Sequence, residues 1–173
     1  NTAKRWMFST AAAPQDAKNL LNYDDDKTVA DWTGKTFTSL PDYMAENHGM
    51  VHPNYTGASV HFTGVLGVIL GAFDQPLPVQ AYFNRANIYA SLKLTTDRTG
   101  SLHPVQGMDW PYLFTDPGTM THAAASVMLR DPDAACMERW ALTTLEERQS
   151  SHGGHMVDPT VAAVCHDVQD PMV

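Results

Sequence analysis

The pattern of apolar positions along the chain predicts helices. Between residues 55 and 72, apolar side chains cover most of a helical circumference: Val60, Phe62, Val65, Leu66, Val68, Ile69 and Leu70. A helix that is apolar on all sides is normally buried, so this segment is expected to be the most buried helix, enclosed on nearly every side. Its small residues, such as Gly57 and Gly64, predict close approach by neighbouring helices.

Other helical patterns lie on both sides of this segment. Residues 78–97 place apolar side chains three and four positions apart, which is the spacing of one helical face. Residues 117–131 and 131–149 predict two helices that meet at Asp131-Pro132, with Asp131 as the N-cap. Shorter helices are predicted at 14–22, 27–32 and 158–169, and an ordered loop at 101–116. No convincing β pattern is present, so the predicted class is all-α, one domain over residues 1–173 made of antiparallel helix pairs.

Composition and charge narrow the expected partners. The chain has 173 residues, is 43% hydrophobic and carries a formal net charge of -8. Its 11 lysines and arginines are scattered, whereas nucleic-acid binding needs them clustered. No apolar run is long enough to span a membrane. We therefore expect neither nucleic acid nor membrane as a partner.

The densest group of polar side chains lies in residues 41–57, PDYMAENHGMVHPNYTG. His48 and His52 are four residues apart, as in one half of a zinc-binding H-E-x-x-H helix, but Gly49 occupies the place of the glutamate and Pro53 follows directly. A second histidine group is His152, His155 and His166. Neither pattern is strong, and no metal or other cofactor is predicted. Cys136 and Cys165 form no C-x-x-C zinc motif, which leaves a single disulfide open.

Two separated segments carry a more specific signal. Asn47-His48-Gly49 directly precedes the apolar helix, and about fifty residues later come Thr99-Gly100-Ser101 with Pro104, then Trp110 and Tyr112. This arrangement resembles the helical-toroid domain of heparinase II/III-like polysaccharide lyases, including alginate lyases. In that family an Asn-His-Gly element is followed by a D-G-S-x-P turn and a W-x-Y element with a catalytic tyrosine. The family's arginine-containing stretch before the tryptophan is replaced here by residues 105–109, which leaves the polymer unspecified.

The resemblance implies an (α/α) toroid that cleaves an acidic, uronic-acid-containing polysaccharide by β-elimination. Asn47 and His48 would neutralise the uronate carboxylate, and Tyr112 would transfer protons. The residues expected to bind substrate are His52, Tyr55, His103 and Trp110. Because such lyases are much longer, the resemblance also implies that this chain is part of a longer polypeptide, and it implies an extracellular or periplasmic location.

Two other functions remain open from the sequence. A toroid glycoside hydrolase would use paired acids, such as Asp42 with Glu46 or Asp109 with Asp116. A non-catalytic carbohydrate-binding helical domain would bind the polymer without turnover.

Overall fold

The computed structural model describes residues 2–21, 26–106 and 118–155, and these are mainly helical, as predicted. The α-helices are α1 (Thr2–Ser9), α2 (Val29–Thr33), α3 (Pro53–Gly71), α4 (Arg85–Lys93), α5 (Thr119–Ala124) and α6 (Ala134–Ser151). Short 3₁₀ helices cover Pro14–Lys18 and Val79–Tyr82, and a π-helical turn, Ala125–Leu129, continues α5. Strands β1 (Glu46–Asn47) and β2 (Met50–Val51) form an antiparallel hairpin. The helix predicted at 158–169 lies outside the described residues.

Helix α3 packs closely against α5 through its glycines. A Cβ atom added at Gly57 would lie 2.9 Å from Thr121 Oγ1, and one added at Gly64 would lie 2.6 Å from the Cβ of Ala124. The predicted close approach is therefore confirmed at these two glycines. The main core includes Ala124 of α5 and Val60 of α3. Ile88, Tyr89 and Leu92 of α4 belong to the same core.

The second half of α3 is not buried, so the expectation of a helix enclosed on nearly every side is wrong. The buried side chains lie between Pro53 and Thr63, whereas Phe62, Val68 and Ile69 are exposed. The reason is geometric: α4 and α5 pack against one side of α3, and no described element covers the apolar side chains that remain. None of the described helices is long and apolar enough to cross a membrane.

The pattern over residues 78–97 divides into two elements at Asn84. This residue has φ 54° and precedes α4. Its side-chain amide donates hydrogen bonds to the Ala11 carbonyl (3.0 Å) and to the buried carboxylate of Asp16 (2.7 Å). These bonds stabilise the left-handed conformation, which asparagine tolerates better than most residues.

The N-terminal residues form a second, smaller core around helix α1, which the sequence pattern did not predict. Phe8 is completely buried and packs its ring against Trp32 and Phe83, with ring centroids 5.9 and 5.3 Å apart. The helix predicted over 14–22 is limited to the 3₁₀ turn Pro14–Lys18.

Asp131 is not the N-cap of α6. The helix begins at Ala134, so that Asp133 occupies the cap position. Asp131 instead accepts a hydrogen bond from the Asp133 amide (3.0 Å) and forms an ion pair with Lys93 of α4 (2.8 Å). Its role is to attach the turn before α6 to α4.

Candidate functional site

The Asn-His-Gly element forms the tip of the β1–β2 hairpin. Asn47 pairs with Met50, which leaves His48 (φ 53°) and Gly49 (φ 81°) as the two turn residues. Positive φ at both positions is the requirement of a type I′ turn, the turn that fits the twist of a hairpin. The sequence pattern did not predict this hairpin, because Gly49 and Pro53 indicated only that a regular zinc-binding helix is unfavourable there.

The hairpin is fixed to the first turn of α3. Thr56 Oγ1 accepts a hydrogen bond from the Ala45 amide (2.7 Å) and donates to the His52 carbonyl (3.0 Å). The His52 amide in turn donates to the Ala45 carbonyl (2.9 Å). The hairpin and the N-terminus of α3 therefore form one hydrogen-bonded unit, which holds the turn in a defined position.

The predicted site residues of this unit have different environments. His48 is exposed at the tip, whereas His52 is completely buried at the N-cap of α3 and packs edge-on against Tyr55, with ring centroids 4.4 Å apart. Asn47 is half-buried, and its side-chain nitrogen has no hydrogen-bond acceptor among the described residues. A buried donor without an acceptor costs about 1–3 kcal/mol, so this amide is a candidate for binding a ligand oxygen.

The hairpin also contacts the segment that leads to the second motif. The Val51 amide donates a 2.7 Å hydrogen bond to the side-chain oxygen of Gln106. Gln106 precedes Trp110 by only four positions in the sequence. Trp110 and Tyr112 themselves lie outside the described residues.

His103 lies in this second segment and is bound to a carboxylate. Its Nε2 is 2.6 Å from Asp97 Oδ2, and both side chains are exposed. Burial raises the pKa of Asp97, but hydrogen bonds from Thr99, His103 and the Ser101 amide outweigh that effect and lower it to about 2. Asp97 is therefore ionised at neutral pH, and it holds the imidazole of His103 against the turn.

The Thr99-Gly100-Ser101 turn has a structural role that the sequence did not reveal. The Gly100 carbonyl accepts a hydrogen bond from Nε2 of the buried His122 (2.9 Å), which therefore carries the proton on that nitrogen. In the neutral imidazole Nδ1 then accepts, and the hydroxyl of the buried Tyr89 donates to it across 2.9 Å. This chain of hydrogen bonds joins α4, α5 and the turn.

The alternative chemistries receive less support from the geometry. Asp42 and Glu46 lie in a turn and in β1, and each accepts a backbone N–H, from Met44 and Gly49 respectively. Asp109 and Asp116 lie outside the described residues, as do His166 and Cys165. In the part of the chain that is described, no three His, Cys, Asp or Glu side chains are grouped as metal ligands would be. Cys136 is exposed.

A cavity of about 350 Å³ opens beside Tyr55, and its wall contains a functional candidate that the sequence analysis missed. This is Arg85, which is only 3% exposed. The sequence could have indicated that Arg85 is buried. Arg85 lies three, four and seven positions before Ile88, Tyr89 and Leu92, so it belongs to the same helical face. A charged residue on an otherwise apolar face requires a partner.

The hairpin and the start of α3 thus bring together four of the predicted site residues: Asn47, His48, His52 and Tyr55. His103 belongs to the segment that Gln106 attaches to this unit, whereas Trp110 and Tyr112 are not described. A scan against protein-family models, a search of curated proteins and a search of solved structures each found no match to this chain.

Proposed function

We propose that this chain belongs to a polysaccharide lyase that cleaves a uronic-acid-containing polymer by β-elimination. Its helices would form part of an (α/α) toroid within a longer polypeptide of heparinase II/III-like type. The polymer substrate would place such a protein outside the cell or in a periplasm. The observation that carries this proposal is the hydrogen bond between Val51 and Gln106, because it joins the two segments whose residues would have to act on one sugar.

The chemistry assigns a separate task to each residue. Elimination requires neutralisation of the C6 carboxylate, removal of the C5 proton and protonation of the departing O4. The Asn47 amide, a donor without an acceptor among the described residues, would bind the carboxylate together with His48 at the exposed tip. Tyr112 would transfer the protons, and its ordinary pKa near 10 would have to be lowered for it to act as the base.

The residues around the turn would bind the rest of the polymer. Tyr55 is 41% exposed beside the hairpin and offers an aromatic surface for a sugar ring. Trp110 would offer a second such surface. The buried His52 would act by positioning Tyr55, which it contacts ring to ring. His103, already paired with Asp97, would reach the polymer from the second segment.

The roles of Tyr112 and Asn47 are tested by substitution in the protein that carries this chain, with turnover of a uronate polymer as the measurement. Tyr112→Phe is expected to lower turnover about 10²–10⁴-fold, the contribution typical of a proton-transfer group. Asn47→Ala is expected to lower it about 10²–10³-fold, as for other preorganised donors.

Tyr82→Phe is the matched control, because the exposed Tyr82 belongs to the 3₁₀ helix Val79–Tyr82, away from the hairpin unit. Near wild-type turnover by folded Tyr112→Phe would rule out the proposed role of Tyr112. Unfolding of that variant would instead show that Tyr112 is a core residue.

A further inference from the structure

A second binding site is suggested by the cavity beside Tyr55. It lies between α1, the segment 38–45, the first half of α3, and α4, and its volume of about 350 Å³ is in the range of small-molecule sites. Neither Asn47 nor His48 lines it, so it is separate from the hairpin tip. Its wall consists mainly of apolar and aromatic side chains with a few hydroxyl groups, including Trp6, Tyr43, Tyr55, Phe62, Thr10 and Ser59.

The charged group of this cavity is the guanidinium of Arg85. Nε donates to Thr63 Oγ1 (3.1 Å), and Nη2 donates to Thr10 Oγ1 (3.0 Å) and, over 3.4 Å, to the Met7 carbonyl. Met7, Thr10 and Thr63 all line the cavity, which places the guanidinium at its wall. The remaining bond, from Nη1 to the Phe83 carbonyl, is also long, at 3.4 Å.

All of these acceptors are neutral oxygens. An arginine has five N–H donors, and the four bonds leave one Nη1 hydrogen without an acceptor in the part of the chain that the structure describes. No carboxylate of the described residues forms an ion pair with Arg85. Burial lowers the pKa of Arg85 to about 10, so the guanidinium is still protonated at neutral pH.

The buried carboxylate of Asp16 already has hydrogen-bond donors of its own. Its carboxylate accepts hydrogen bonds from the Ala13 amide (2.9 Å), the Tyr43 hydroxyl (3.1 Å) and the Asn84 amide (2.7 Å). Among the described residues, the buried guanidinium of Arg85 therefore has no negative partner, and a buried charge in that situation costs several kcal/mol of desolvation. An anion in the cavity would offset this cost.

We propose that this cavity binds a carboxylate ligand, with the carboxylate on Arg85 and the body of the ligand against the apolar wall. One carboxylate oxygen would accept the remaining Nη1 hydrogen, and the second oxygen would replace one of the long 3.4 Å bonds to the Met7 or Phe83 carbonyl. Arg85 supplies one positive charge, which matches a singly charged carboxylate better than a phosphate dianion. The apolar wall favours a ligand that has an apolar face. The rings of Trp6 and Phe62 line the cavity and are exposed, and they would cover that face.

The experiment is calorimetric titration of the full chain with matched pairs of probes. Methyl glucuronide and hexanoate each carry a carboxylate, and methyl glucoside and hexanamide are their neutral counterparts. At least one carboxylate is expected to bind about 10–100-fold more tightly than its neutral counterpart, the range for hydrogen bonds to a charged group. The pair that shows this preference identifies an acidic sugar or an apolar acid as the source of the carboxylate.

Arg85→Met tests whether the guanidinium is responsible. This variant is expected to lose the preference for the carboxylate while its unliganded melting temperature stays equal or rises, because an uncompensated buried charge is removed. The hydroxyls of Thr10 and Thr63 keep their own acceptors, the carbonyls of Met7 and Ser59, so no donor is left unsatisfied. Arg139→Gln is the control, since Arg139 is exposed on α6 and does not line the cavity.

Ala58→Leu provides a test that keeps Arg85 in place. Ala58 lines the cavity from α3, and a larger side chain there should block the ligand without changing the charge. The proposal is overturned if neither carboxylate binds better than its neutral counterpart, if inorganic phosphate binds more tightly than both, or if folded Ala58→Leu binds like the wild type. Because binding is measured without turnover, failure here is distinct from failure of the elimination assay.

Discussion

Gly100 and Gly49 both lie in turns and have positive φ, 76° and 81°. Of the two, Gly100 packs closely against helix α6. A Cβ at Gly100 would lie 2.6 Å from the backbone of Met137 and of Ala141, whereas a Cβ at Gly49 would meet nothing within 4 Å. Gly100→Ala is therefore expected to lower the free energy of unfolding by about 2–5 kcal/mol, from backbone strain and overpacking together. Gly49→Ala should cost only about 1–2 kcal/mol. Equal losses in denaturant titrations would show that α6 does not confine the turn.

The hydroxyl of Tyr89 on α4 forms a 2.9 Å hydrogen bond with the imidazole of the buried His122. Tyr89→Phe is expected to lower the free energy of unfolding by about 1–3 kcal/mol, because it leaves a buried acceptor nitrogen without a donor. The exposed Tyr82 supplies the control: Tyr82→Phe should change stability by less than about 0.5 kcal/mol. The two variants are compared by thermal or chemical unfolding. Unchanged stability of Tyr89→Phe would contradict the hydrogen-bond chain from Tyr89 through His122 to Gly100.

Sequence reasoning at the residue scale depends on whether a side chain departs from its local pattern. Arg85 departs from an apolar face, so its burial could have been inferred. His122 and Gly100 could not be linked, because their contact joins residues that are far apart in the sequence and depends on how α5 packs against the turn.

At the scale of elements, the two halves of α3 should respond differently to the same substitution. Val60 is completely buried, whereas Val68 is 75% exposed. Val60→Ala is expected to lower the free energy of unfolding by about 2 kcal/mol, from lost methyl burial and the resulting cavity. Val68→Ala should lie within about 0.5 kcal/mol of the wild type. A large loss for Val68→Ala would mean that a further element covers this face.

The turn that contains Asp97 should make stability sensitive to acid. Hydrogen bonds lower the pKa of Asp97 to about 2 in the folded protein, so its ionised form stabilises the fold. This contribution to the free energy of unfolding is fully present above the pKa that Asp97 has in the unfolded chain, near 4. The contribution is lost as the pH falls from about 4 through 2. Unfolding experiments across this range should show a smaller pH dependence for Asp97→Asn than for the wild type. An unchanged pH dependence would show that Asp97 is not responsible for the sensitivity of stability to acid.

The helices themselves were largely predictable, because apolar periodicity is a local property. The break at Asn84 was not, since it depends on hydrogen bonds to Ala11 and Asp16, which come from another part of the chain. The exposure of Val68 and Ile69 was missed for a related reason: periodicity shows which side chains are apolar, but not which of them a neighbouring element covers.

At the scale of the whole molecule, the account depends on two sequence segments acting on one sugar. Their order along the chain suggested this arrangement, and the contact between Val51 and Gln106 supports it. The carboxylate site at Arg85 adds a second way in which the same molecule would recognise an acid.

The central claim, elimination, is tested most directly by the product formed from a uronate polymer. Each polymer of a panel that includes alginate and heparan-type chains is incubated with the protein that carries this chain, and absorbance near 230 nm is followed. The account predicts that absorbance rises with at least one polymer, because β-elimination leaves a 4,5-unsaturated uronate. Cleavage without that absorbance would indicate a hydrolase, binding without cleavage would indicate a carbohydrate-binding domain, and either result would contradict the lyase assignment.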